Sequence, residues 1–228
     1  MNEEDIEYSV ASHVAYETNQ AEGQKELDSY LEGYQIDTDL ESDVGSTIVR
    51  PDGTAILAFR GTDVYNPYDL MADVLVSSGY HRLKPTYQII PHTRFQRAED
   101  YFKIVQQKHG EDIHLTGHSL GGSVATHISS KYDKKTVVFN TGETPQDLSS
   151  PYFDYEQKQI RSYIVPGDII SMSGGLFRNQ DVRYVPKKTG SSKHSMDNFL
   201  PTRRSGSHEP RSKPTGVEPS GSHEPRSG

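Results

Sequence analysis

The sequence predicts an α/β domain, a mostly parallel, mixed sheet covered by helices, followed by a polar C-terminal tail. Three observations carry this. Short apolar, β-rich runs alternate with helix-period stretches between about residues 45 and 165. A serine flanked by glycines, Gly117 and Gly121, stands where one such run passes into a helical pattern. Beyond about Leu200 large apolar side chains almost vanish.

The elements follow in chain order. Ile6, Val10 and Val14 recur every four residues and predict a first amphipathic helix. Residues 45–50 and 54–59 are β-rich runs joined by Pro51-Asp52-Gly53, a hairpin signal. This predicts antiparallel strands at the leading edge of the sheet. Phe95, Ala98, Phe102 and Val105 mark a long helix ending near His109-Gly110, where glycine suits a C-cap. Residues 112–116 read as a strand and 119–131 as a helix. The run TVVFN, 136–140, is apolar enough for a buried strand, and 161–165 is another. A short helical signal covers 196–200.

The domain is expected to span residues 1–200. Residues 201–228 read as a disordered tail, in which SGSHEPRS occurs at 205–212 and again at 220–227. Ser, Gly and Pro in this density bury too little apolar area to offset chain entropy. A solvated tail is one reading, and a docking segment for a protein partner is the other.

Composition narrows the function classes. A net charge of -8 argues against nucleic acid and anionic membrane as general partners. The chain has no cysteine, so disulfides and thiolate metal sites are excluded. MNEEDIEYSV is acidic and polar, with no signal peptide visible, and no apolar run approaches the ~20 residues of a membrane span. The expectation is a cytoplasmic or otherwise soluble chain without a transmembrane segment. A mean hydropathy of -0.76 adds that part of it is unpacked.

In GHSLGG, a strand turning sharply into a helix forces Ser119 into strained backbone angles. Side chains two positions to either side would collide, hence Gly117 and Gly121. The hydroxyl is expected to stand exposed at a helix N-terminus, with the Leu120 N–H ready for an oxyanion. His118 is read as supporting this elbow. A nucleophilic serine needs a base, and the base needs a carboxylate to fix its tautomer. In α/β-hydrolases the chain order is Ser, acid, His. The candidates for the acid after Ser119 are Glu143, Asp147, Asp154, Glu156, Asp168, Asp181 and Asp197. Asp168 stands out, following an apolar strand and a Pro-Gly turn in YIVPGDIIS. His194 is the one histidine between Asp168 and the tail. His127 reads as a packing or surface residue, and His208 and His223 fall in the tail. After strand 54–59, Gly61 would admit a close backbone approach, and Thr62 is the candidate for a second oxyanion donor.

Four blocks in order, AFRGTD (58–63), LTGHSLGG (115–122), IVPGDIIS (164–171) and HSMDNFL (194–200), resemble the class 3, fungal-type lipases of the α/β-hydrolase superfamily. The resemblance implies hydrolysis of glycerolipid or related esters. It implies Ser119 as nucleophile, Asp168 as acid, His194 as base, and oxyanion stabilisation at Thr62 and Leu120. Asp73 resembles an acidic residue that members carry after FRGT. The chain departs from the pattern at Arg94-Phe95, where members often have Gly-Phe, and in the loose loop FNTGETP (139–145). Residues 63–77, with Val64, Tyr65, Leu70, Met71, Val74, Leu75 and Val76, are read either as a small lid for a transient lipid interface or as a buried helix. The implied substrate is a lipid or other acyl ester, with no metal and no organic cofactor. Two alternatives stand beside the lipase reading: a soluble small-ester or thioester hydrolase, and a non-catalytic lipase-like binding module.

Overall fold

The computed structural model describes residues 1–40, 42–62, 94–142, 159–173 and 181–204. Within them lie helices α1 (Ile6–Val14), α2 (Gln20–Asp28), α3 (Arg94–His109), α4 (Leu120–Tyr132) and α5 (Ile169–Ser173). The strands are β1 (Gln35–Ile36), β2 (Gly45–Val49), β3 (Ala55–Phe59), β4 (Ile113–His118), β5 (Thr136–Phe139), β6 (Ile160–Ile164) and β7 (Asp181–Tyr184). They form one seven-stranded sheet whose spatial order is the chain order.

The sheet is mixed, as the hairpin signal predicts. β1–β2 and β2–β3 pair antiparallel, and β3 through β7 pair parallel. Gly53, at φ +87°, makes the β2–β3 turn, and Asp52 Oδ1 accepts from the Thr54 N–H at 2.9 Å. The parallel register sets Phe59 beside Gly117, His118 beside Phe139, Phe139 beside Tyr163 and Ile164 beside Tyr184. Residues just past these positions therefore gather at one edge of the sheet, where open α/β sheets build their sites.

Both faces are covered. Along β3 every residue is fully buried, with Ile56 and Ala58 turned to one core and Ala55, Leu57 and Phe59 to the other. On the first face α1 packs Tyr8, Val10, Ala11 and Val14 against the sheet, joined by Met196, Phe199 and Leu200. On the second, Ala98, Phe102 and Val105 of α3 meet Val124, Ala125 and Ile128 of α4. Each large side chain so buried contributes about 1.5–3 kcal/mol. Phe199 lies 5.1 Å, centroid to centroid, from Phe139, which pins the C-terminal segment to the end of β5.

Four elements lie outside the sequence expectations: α2, β1, β7 and α5. In α2, QAEGQKELD, only Gly23 and Leu27 are buried, so no apolar stripe announces it. Its start is set locally, by Asn19 accepting from the N–H groups of Ala21 and Glu22. β7 is a polar edge strand, and β1 has two residues. The described residues continue past Leu200 to 204 and make contacts with the end of α2. The Arg204 N–H donates to Ser29 O at 2.8 Å, and Arg203 reaches Ser29 Oγ and Glu26 Oε1 at 3.1 and 2.5 Å. Composition counts these residues with the tail because their partners, on and just after α2, are distant in sequence. The SGSHEPRS copies and the stretch 63–77, with Asp73, lie outside the described residues.

Candidate active site

Ser119 stands between β4 and α4 with φ 58° and ψ −126°, in a region that side chains disfavour. The glycines explain how the turn closes. A Cβ on Gly117 would come 2.3 Å from the carbonyl carbon of Gly121. A Cβ on Gly121 would come 2.2 Å from Phe59 O and 2.9 Å from Gly61 N. The elbow is thus seated directly on the end of β3. Gly61 is equally confined, since a Cβ there would lie 2.0 Å from Tyr16 Oη and 2.7 Å from His118 O.

One sequence expectation is corrected here. Ser119 is not exposed: it is 1% accessible. Segments from β3, from Phe139–Gly142 and from the loop holding His194 come against the elbow.

Asp168 follows β6 and the Gly167 turn, and it is buried. His194 lies in the irregular segment between β7 and the 3-10 turn Met196–Asn198. The fold joins them: His194 Nδ1–H donates to Asp168 Oδ1 at 2.9 Å. The other carboxylate oxygen accepts from Ser171 Oγ–H at 2.5 Å and from the Ser171 N–H at 3.0 Å. Burial alone would raise the Asp168 pKa; the hydrogen bond and charge of His194, then Ser171, outweigh it and hold the carboxyl below its ordinary value. Asp168 is therefore ionised at neutral pH, and because its carboxylate takes the Nδ1 proton in a hydrogen bond, the bare imidazole nitrogen of His194 is Nε2.

No hydrogen bond joins Ser119 to His194. Ser119 Oγ and His194 Nε2 are both buried and partnerless among the described residues. Buried polar atoms are nearly always satisfied. Two unpaired buried polar atoms at one sheet edge could each accept a hydrogen-bonding group, and contacts of this kind often form only with a ligand bound.

Leu120 opens α4, whose first N–H groups have no partner inside the helix. Thr62 is half-buried and follows Gly61. The guanidinium of Arg94 donates from Nη2 to the Arg60 and Gly61 carbonyls, the latter at 3.4 Å. In a trans peptide the Gly61 C=O and the Thr62 N–H point in opposite directions, so the Thr62 N–H is turned away from Arg94.

Sequence reasoning missed Asn140, Tyr16, Ser171, Asn198 and the use of Arg94. The visible signal for Asn140 was a polar residue closing a buried apolar strand. His118, read as supporting the elbow, directs its ring to the loop holding His194 and to the end of α1: Nε2 to His194 O at 2.7 Å and Nδ1 to Tyr16 Oη at 2.8 Å. His127 packs edge-on against Phe95, a packing role. A cavity of about 370 Å³ lies between Glu17, Ile36, Leu40, Asp43 and Arg60, and none of Ser119, Asp168 and His194 lines it.

Residues 20–198 match the family described as the Tle-like phospholipase domain. The chain belongs to the Tle-like phospholipase family. The matched span holds the elbow, Asp168 and His194, and it makes the chain phospholipase-like at the level of a lipid-ester hydrolase. It supports the lipase side of the sequence resemblance without singling out the fungal class 3 branch. Comparison with curated proteins returns no match. Among the described residues, no helix of this Tle-like domain is long and apolar enough to cross a membrane.

Proposed function

We propose that the chain is a serine hydrolase that cleaves acyl esters of lipids, phospholipids foremost, through an acyl-serine intermediate. The observation that carries this is the His194–Asp168 hydrogen bond of 2.9 Å at the sheet edge where strained Ser119 leaves β4. The phospholipase-like family and the ordered blocks shared with class 3 lipases support the lipid ester as substrate.

The steps follow from these residues. His194 Nε2 takes the Ser119 proton as Oγ attacks the ester carbonyl carbon. The oxyanion rests on the N–H groups of Leu120 and Thr62. The C–O bond breaks, and His194 returns the proton to the leaving alcohol. Water, deprotonated by the same imidazole, attacks the acyl-serine; the acyl–Oγ bond breaks, His194 returns the proton to Ser119 Oγ, and the fatty acid leaves. Asp168 stays ionised throughout and stabilises the imidazolium.

The test is release of fatty acid from phospholipid vesicles, beside hydrolysis of p-nitrophenyl esters from short to long chain. Ser119→Ala should lower turnover at least about 1,000-fold while the protein stays folded. Serine-dependent turnover of short esters alone would replace this reading with a soluble esterase. No turnover by folded wild type would replace it with a binding module.

A further inference from the structure

His194 sits in a segment without helix or strand, yet a catalytic base must be held to within about 0.5 Å of its working position. The backbone around it is held by side chains at four consecutive carbonyls. Asn198 Nδ2 donates to Ser192 O at 2.7 Å and to Ser195 O at 2.9 Å. Asn140 Nδ2 donates to Lys193 O at 2.8 Å, and His118 Nε2–H donates to His194 O at 2.7 Å. Asn198 is a neighbour in sequence. His118 ends β4 and Asn140 directly follows β5, so these two tie the loop to the rigid sheet.

We propose that His118 and Asn140 are positioning residues for the base, together setting where His194 stands relative to Ser119 and Asp168. The role of each follows from its other partners. Because a carbonyl only accepts, His118 carries its proton on Nε2, which leaves Nδ1 to accept from Tyr16 Oη–H. Tyr16, two residues past α1, thereby selects the tautomer that grips the loop. Burial, and then the neighbouring His194, push the His118 pKa down to about 3. A neutral ring 4.7 Å from the His194 ring leaves room for imidazolium to form, whereas a charged one would repel it. Asn140, buried at φ 43°, also accepts on Oδ1 from the Val165 N–H at 2.9 Å. Val165 leads through Pro166-Gly167 to Asp168, so one side chain couples the acid loop to the base loop.

This inference rests on the hydrolase reading, and its test separates the two. In the full chain, the low-field proton resonance of His194 Nδ1–H, assigned by its loss in His194→Ala, reports the bond to Asp168 with or without turnover. His118→Phe and Asn140→Ala should shift or broaden that resonance. They should lower kcat about 10- to 100-fold with KM nearly unchanged, the cost of a displaced catalytic group. His118→Gln, which keeps a donor near the Nε2 position, should recover most of kcat, and Tyr16→Phe should fall between. An unmoved resonance with unchanged kcat in folded His118→Phe and Asn140→Ala would overturn the proposal. Should those variants not fold, the same result in near-isosteric Tyr16→Phe would overturn it. Absence of Ser119-dependent turnover in wild type would defeat the hydrolase reading, while the resonance would still decide the positioning.

Discussion

The carboxylate of Asp168 serves His194 with one oxygen and Ser171 with the other, Oδ1 accepting at 2.9 Å and Oδ2 at 2.5 Å. It therefore orients the imidazole and caps the short helix α5 at once. The Ser171 contacts hold the carboxylate plane still, so the His194 ring has one preferred orientation.

Asp168→Asn separates these roles. Its amide retains an oxygen for one partner but no charge to stabilise imidazolium. Steady-state kinetics should show kcat lowered about 1,000- to 10,000-fold with KM little changed. A kcat near wild type would mean that another group orients the base. The Asp168 pKa is depressed in the fold, so its stabilisation is present above the unfolded value near 3.8 and disappears as pH falls through the lower folded value.

The pH dependence of folding should carry the mark of His118. Its folded pKa is about 3 against an ordinary 6.5, so between those values the unfolded chain binds a proton that the folded chain refuses. Stability should fall as pH drops from 6.5 toward 3, by up to about 1.4 kcal/mol per pH unit from this group. Urea unfolding at several pH values, wild type against His118→Gln, isolates that contribution. Parallel curves would show that the two do not differ in proton uptake.

Arg94 holds the Gly61 carbonyl and turns the Thr62 N–H away from itself. Arg94→Met keeps the aliphatic stem and removes the donors. We expect kcat lowered roughly tenfold at steady KM, less than the 100-fold or more that loss of a whole oxyanion donor costs. An unchanged kcat would separate Arg94 from the oxyanion arm.

Alanine at Gly117 or Gly121 should be costly, since each Cβ would meet backbone within 2.3 Å. Backbone cannot rotate away as a side chain can, so destabilisation should exceed the 1–3 kcal/mol typical of overpacking. Chemical denaturation measures it directly. A tolerated Gly117→Ala would show that the elbow is looser than these contacts imply.

At the C-terminus, a chain ending at Arg204 should keep the wild-type unfolding midpoint. One ending at Phe199 loses buried Leu200 and the Arg203 contacts with Glu26, Ser29 and the Tyr30 ring. That loss should amount to about 2–5 kcal/mol, chiefly from Leu200, because the half-exposed Arg203–Glu26 pair is worth little. Equal midpoints for the two chains would place residues 200–204 outside the cooperative unit.

Much of this architecture could be read without coordinates. The hairpin, α1, α3, β4, α4 and β5 announce themselves because their causes are local: apolar periodicity, a Pro-Asp-Gly turn, glycines at the elbow. Residues of the candidate site were legible for the same reason, as Ser119 and Asp168 both sit in short stretches whose turn chemistry is written in adjacent letters. Where local causes were weak, the elements were missed: α2 is polar and held by one cap, and β7 borrows its form from β6.

The contacts that organise the site belong to the tertiary structure. Asp168 meets His194 across 26 residues, Asn140 meets Lys193 across 53, and Tyr16 meets His118 across 102. A hydrogen bond between a side chain and a distant carbonyl leaves no periodic trace, because any polar residue at the right place can make it. The burial of Ser119 and the docking of Arg203 and Arg204 on the end of α2 and the residue after it have the same origin. Chemistry that follows from neighbours along the chain was open to reading; chemistry that follows from neighbours in space waited for the parallel strands to align their ends.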